Sequence, residues 1–264
     1  MSAMNQADTS LVTSSNVTTD VVLVNQCGHN QLTTDHFTSA QGQNHRVVFV
    51  CTTERGLSRS RNMAIRHATA DVCMIADDDE HFSDTFARDI ARAYSDYPEA
   101  DVIVFQVDDG FGRSFPDRAQ RVGYMQALKT YSLQISFRRE RVVEKGIWFD
   151  EQMGSGTGHG AGEENKFLFD CLRSGLRIQY VPVLIAATNS QTPSSQWFSG
   201  YTDRFFFNRG WATRRYLGTP LAMAYAVYYA YAKRKMYKGH ISPLRALWHT
   251  WRGTMHVRYP ENAG

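Results

Sequence analysis

The chain has 264 residues, 42% of them hydrophobic, enough to bury a sizeable core as one large domain or a domain with an appendage. No run reaches the ~18 apolar residues needed to span a bilayer; the longest, residues 220–232, is too short and carries four tyrosines. A net charge of +3 conceals a division, because residues 1–200 hold 18 Lys/Arg against 24 Asp/Glu while residues 201–264 hold 11 against 2.

Residues 1–19 are rich in Ser, Thr and Asn, lack a basic and apolar leader, and are expected to be frayed. The β-branched run 21–25, ending at Asn25-Gln26, predicts a first buried strand, and 46–51 a second. Small and apolar residues at Leu57, Met63, Ala64, Ile65 and Ala68 predict a helix over 57–70. A third strand follows at 72–76, a helix capped by Ser83 runs to about residue 94, and a fourth strand covers 101–107. Strands alternating with helices at this spacing imply βαβ units and a mainly parallel sheet flanked by helices, an α/β fold.

Beyond Gly110 the rhythm changes. Residues 110–123 read as a loop, and 133–137 alternate like an antiparallel strand. A glycine-rich segment at 154–162 precedes a helix over 163–174 closed by Gly175, then a strand at 177–181. A polar loop leads into a helical tail. The expected division is therefore a flexible 1–19, a catalytic domain over 20–195 and a basic, aromatic extension over 196–264. Cys27, Cys51, Cys73 and Cys171 form no Cys-x-x-Cys pair, so buried thiols in a reducing compartment are expected rather than disulfides or zinc.

Asp77, Asp78 and Asp79 end an apolar strand and need a cation to offset their repulsion. A divalent ion carrying a diphosphate suits them, since hard cations take oxygen ligands and leave positions for phosphate; a solvated acidic loop is the bland alternative. Glu163 and Glu164 open a helix, where acidic residues favour the macrodipole, and either could serve as a general base. Glu54-Arg55-Gly56-Leu57-Ser58-Arg59-Ser60-Arg61-Asn62 places three arginines at a helix start, a pattern that attracts phosphate or pairs with the aspartates. The glycine segment lacks a Gly-Lys-Ser/Thr ending and is no triphosphate loop; it reads as a mobile cover for a substrate, with His159 in it. The basic, aromatic tail suits an anionic membrane surface, with a helical subdomain or homo-oligomer contact as the alternative. No nucleic-acid motif accompanies it.

Glu54 to Ile65, then Ala70 to Asp79, then Phe149-Asp150-Glu151 and Gly162-Glu163-Glu164-Asn165, resemble the family 2 glycosyltransferases in order from about residue 21 to 182. The resemblance implies the A-type glycosyltransferase fold, a nucleotide-diphosphate sugar donor (a UDP-sugar), a divalent metal (Mn²⁺ or Mg²⁺) and inversion at the anomeric carbon. It places Asn25, Gln26 and Glu54 around the nucleoside and Asp71 at the base or ribose. Arg55, Arg61, Asp77 and Asp78 would face the donor, and Asp77 and Asp79 would hold the metal. Glu164, with Glu163 as second choice, stands where the family has its base. Ala76 occupies a position where the family often has aspartate, which leaves the metal-binding pair within the triplet open. The Gln-x-x-Arg-Trp signature of processive synthases is absent, Gln196-Trp197 and Arg209-Gly210-Trp211 only echoing it, so a single transfer to a glycan or lipid-linked acceptor is expected. That implies cell-surface polysaccharide synthesis in the cytoplasm, on the inner face of the membrane. A sugar-nucleotide-binding regulator and a metal-dependent phosphohydrolase or nucleotidyltransferase are the alternatives.

Overall fold

The computed structural model describes residues 1–110, 112–188 and 200–255. In chain order the elements are β1 Ser2–Met4, α1 Ser10–Ser14, β2 Val21–Gln26, β3 Gln31–Thr38, β4 Asn44–Thr52, α2 Leu57–His67, β5 Val72–Met74, β6 Glu80–Phe82, α3 Phe86–Asp96 and β7 Val102–Asp108. They continue with β8 Gln120–Arg121, α4 Tyr124–Ala127, β9 Ile135–Arg138, α5 Arg139–Glu144, α6 Glu163–Arg173, β10 Ile178–Thr188, α7 Asp203–Leu217, α8 Thr219–Ala232 and α9 Pro243–Thr254. The α/β class follows the expectation. The echo at Gln196-Trp197 lies outside the described residues.

One sheet runs β1-β2-β4-β3, the other β5-β9-β7-β10-β6 with β8 on β10. Ser2 joins them edge to edge, its N–H donating to Ala76 O at 2.9 Å beside a parallel bridge to Asp77. The sheet is mixed rather than mainly parallel. β1, β2 and β4 are parallel to one another, as are β7 and β10. β9 runs antiparallel between β5 and β7, and β3 folds back on β4 as a hairpin.

Three further expectations are corrected. Residues 1–19 are not frayed, because β1 fills the gap between β2 and the strand leading to Asp77, where Ser2 Oγ accepts from Ser60 Oγ at 2.8 Å. Val21–Gln26 is therefore the second strand. β3 went unseen because it is polar and almost wholly exposed, leaving no hydrophobic alternation to read.

Hydrophobic packing covers both faces of the sheet. On one, Phe137, Phe149 and Phe167 gather with Leu168 and Cys171 of α6, the Phe149 and Phe167 rings stacking at 4.5 Å. Trp211, Ala212 and Tyr216 of α7 join this core, so part of the expected extension packs on the catalytic domain, while the expected boundary at 196 lies outside the described residues. Among the described residues, Phe206, Tyr229, Tyr237 and Ala246 form a separate helical cluster. Thr202 caps α7 and Ser242 caps α9, each accepting a backbone N–H three residues on. Leu221, Val227, Tyr228, Leu244 and Trp248 face outward. Among the described residues no helix is long and apolar enough to cross a membrane.

α7 and α9 cross with backbones in contact. A Cβ on Gly210 would lie 1.9 Å from Thr250 O, and one on Gly253 1.9 Å from Phe207 O. Gly210→Ala should therefore cost about 1–3 kcal/mol, because separating two packed helices outweighs the ~1 kcal/mol that alanine adds in helix propensity. Urea denaturation checks this; a variant as stable as the parent contradicts the crossing.

Candidate active site

Strands β1, β2 and β4 point their carboxyl ends toward the edge at which β5 delivers Asp77, the edge where open α/β sheets bind ligands. Asp78 and Asp79 lie in the turn after it, and Glu80 starts β6.

Arg61 organises this edge. On α2 the residues Ser58, Arg61, Asn62 and Ile65 share the inward stripe, so the arginine occupies a position where helical periodicity calls for an apolar side chain. It is 2% exposed. Its Nη2 donates to both Asp77 oxygens at 2.8 and 3.1 Å, and Nη1 reaches Glu163 at 3.4 Å and Glu164 at 3.5 Å. Burial opposes the guanidinium's charge, but Asp77, Glu164 and Glu163 outweigh it and raise the pKa above its ordinary value. Ser132 Oγ also donates to Asp77, at 3.1 Å.

The neighbours of Arg61 on the stripe hold the segment that delivers the glutamates. Asn62 pairs with Phe149 through both of its amide atoms at 2.9 Å, Ser58 Oγ donates to Met153 O at 2.7 Å, and Leu57 N–H donates to Ser155 O. Gly154 then turns with φ at +96°, and a Cβ there would stand 3.3 Å from the Glu163 carboxyl. The glycine segment is pinned rather than loose. His159 stacks on Trp211 at 3.8 Å and meets Asn208 at 3.2 Å, while Arg215 covers the other ring of the pair and binds Asp150 at 2.6 Å. Burial, the largest cause, lowers the His159 pKa, which disfavours the charged imidazolium. A cleft of about 390 Å³ opens between this segment and α7, lined by Ser155, Gly162, Asn165, Asn208 and Arg209.

The two glutamates differ. Glu163 is 4% exposed and Glu164 17%. Burial, and then the Glu164 carboxylate, push the Glu163 pKa up to about 8. Its Oε2 has no hydrogen-bond partner.

The acidic cluster fits a hard divalent cation. Burial and the Asp77 carboxylate raise the pKa of Asp78, and they raise that of the buried Glu80 well above its usual range, a crowding that a cation would relieve. Among the described residues three of these carboxylates do not converge within 4.8 Å. An ion would thus take one or two of them with phosphate oxygens and water, the coordination that magnesium favours.

The structure brings Asp77, Arg61, Glu163 and Glu164 together. Asn25, Gln26, Glu54 and Arg55 lie at the neighbouring strand ends. There Asn25 holds the backbone of Gln6, Gln26 Oε1 accepts from Gly56 N–H at 2.8 Å, and Arg55 Nη1 donates to Gln26 O at 2.6 Å. Arg59 faces outward in an exposed pair with Glu151. Asp71 immediately precedes β5, six residues before Asp77 and so roughly 20 Å from it if the intervening chain is fully extended. Sequence reading missed Ser132 and Glu80, and no local pattern marks Ser132.

The description "Glycosyl transferase family 2" matches residues 6–157, a span that ends just before Glu163. No curated protein matches the sequence. Among solved structures, residues 1–349 of Staphylococcus aureus TarS share the fold with a TM-score of 0.60 at 14% identity, covering 96% of this chain and 80% of that one. TarS in complex with UDP-GlcNAc gives 0.60 at 16% identity over 89% and 72%, and its UDP complex gives 0.54 at 14% over 91% and 83%. A mixed sheet ending in an aspartate triplet, a buried arginine bridging it to a Glu-Glu pair, and a family match over more than half the chain lead to one conclusion: this chain belongs to glycosyl transferase family 2 and is a glycosyltransferase of the A-type fold.

Proposed function

We propose that the protein moves one sugar from a UDP-sugar, with inversion, to a hydroxyl of a glycan or lipid-linked acceptor in cell-surface polysaccharide synthesis. The observation that carries this reading is Arg61, whose guanidinium touches Asp77 on one side and Glu163 and Glu164 on the other. Diphosphate-binding and proton-accepting groups thereby stand within one side chain's width of each other.

Glu164, the more exposed glutamate, takes the proton of the acceptor hydroxyl as the new C–O bond forms and the bond to the diphosphate breaks. Glu163 stays protonated behind it. Arg61 fixes the Glu164 carboxylate, and Asn25, Gln26, Glu54 and Arg55 flank the nucleoside. A divalent ion, Mn²⁺ or Mg²⁺, held by Asp79 with Asp77 beside Asp78, would offset charge on the departing diphosphate. The cleft between the glycine segment and α7 receives the acceptor. The TarS complex with UDP-GlcNAc supports the choice of a UDP-sugar. Outward Leu244 and Trp248 of α9, with Arg245 and Arg252 on the same helix, support contact with an anionic membrane at its cytoplasmic face.

Incubation with candidate UDP-sugars and Mn²⁺ tests this, with Asp79→Ala as the comparison. Release of UDP that depends on acceptor and is abolished in Asp79→Ala is expected. The reading fails if no nucleotide sugar is turned over and the substitution changes nothing, and release of free phosphate would identify a phosphohydrolase instead.

A further inference from the structure

Cysteines 24 positions apart meet because β2 and β4 are parallel neighbours. Asn25 pairs with Cys51 in the register, so Cys27, two residues on, falls on the same side, and its N–H donates to Thr52 O at 2.8 Å. His29 follows two residues later. Its Nδ1 lies 3.6 Å from Cys27 Sγ, and the ligand atoms of Cys27, His29 and Cys51 all lie within 4.8 Å of one another. Both thiols are buried while the histidine is exposed.

A pair of buried free cysteines needs no ligand, and Cys27 can also donate weakly to His29 O at 3.5 Å. Packing alone does not explain why a solvent-facing imidazole turns its nitrogen toward the sulfur. Tetrahedral zinc, with Zn–S near 2.3 Å and Zn–N near 2.0–2.1 Å, sets neighbouring sulfur and nitrogen ligands about 3.5 Å apart. The observed 3.6 Å fits that edge. Asn25 Nδ2 stands 3.7 Å from Cys51 Sγ, placed to support a thiolate from outside the ligand set.

We propose that Cys27, His29 and Cys51 bind one zinc ion at the carboxyl ends of β2 and β4, with water completing the tetrahedron. Each thiol gives its proton to solvent on binding. The two sulfurs and one imidazole select a borderline-soft cation, whereas the carboxylates near Asp77 select a hard one, so the two sites do not compete. Zinc here clips the 27–30 turn to β4 beside Asn25 and Gln26. It stiffens the strand ends that carry Glu54 and Arg55. The inference holds whether or not the protein transfers sugar.

The full chain is loaded with Zn²⁺ or Co²⁺, dialysed, and analysed for metal content by mass spectrometry and for thiolate-to-cobalt charge-transfer absorption. One zinc per chain and a thiolate–cobalt band are expected. Both should be lost in the Cys27→Ser/Cys51→Ser variant and kept in Cys73→Ser. His29→Ala, an exposed change that leaves the fold intact, should weaken zinc binding at least tenfold. The proposal is overturned by substoichiometric zinc, by a cobalt spectrum without thiolate absorption, by equal loss in Cys73→Ser, or by His29→Ala binding as tightly as the parent. Donor turnover plays no part in these readouts.

Discussion

Glu164→Gln is expected to lower sugar-transfer turnover by roughly 10²–10⁴-fold, the range a general base contributes, with donor binding little changed. Glu163→Gln should leave turnover near that of the parent. Glu163 is nearly buried and its carboxyl, pushed up to about 8, is already neutral at pH 7, so an amide resembles its working state. Stability separates the pair as well. A carboxyl raised from 4.5 to about 8 binds more protons folded than unfolded between those values, so its contribution is full below pH 4.5 and is lost as pH rises toward 8. Glu163→Gln should remove that decline and leave the variant relatively more stable at pH 8. Steady-state kinetics and denaturation against pH check both halves, and a large turnover loss in Glu163→Gln with a mild one in Glu164→Gln would exchange the roles.

Arg61→Met is expected to destabilise the protein by roughly 3–5 kcal/mol, because removing one partner of a buried ionic cluster leaves the others uncompensated. Here Asp77 and Glu164 would lose the guanidinium that bridges them, beside the protonated Glu163. The deficit should shrink as pH falls through the carboxylate range, since protonation removes the repulsion. Arg61→Lys keeps the charge but not the two-sided fork, so it should recover only part of the stability. Urea denaturation at several pH values measures the effect. A loss under 1 kcal/mol, or one that grows toward low pH, contradicts the bridging role.

Much of this site was legible in the sequence. The strand into Asp77 and the helix opening at Glu163 both stand where hydrophobic pattern and charge put them. Among three arginines, only helical phase singles out Arg61, four residues before buried Ile65 on one face. An acid beside a strand, such as Asp71, carries no information about which end of the sheet binds ligand. β1 is three residues long and gains its place entirely from pairing with distant chain. The meeting of Cys27 with Cys51, and of Ser132 with Asp77, likewise depends on strand order, which local pattern does not encode. The tail's aromatics look like a surface feature in sequence, yet Trp211 and Tyr216 complete the main core.

The strand edge organised by Arg61 is expected to bind a nucleotide sugar through the aspartate turn. Calorimetric titration of UDP-sugars into the protein, with Mn²⁺ and then with the ion chelated, tests it most directly. The account predicts saturable binding of a UDP-sugar that weakens sharply on chelation and in Asp79→Ala. Binding that is indifferent to both metal and Asp79, or no binding by any UDP-sugar, would contradict it.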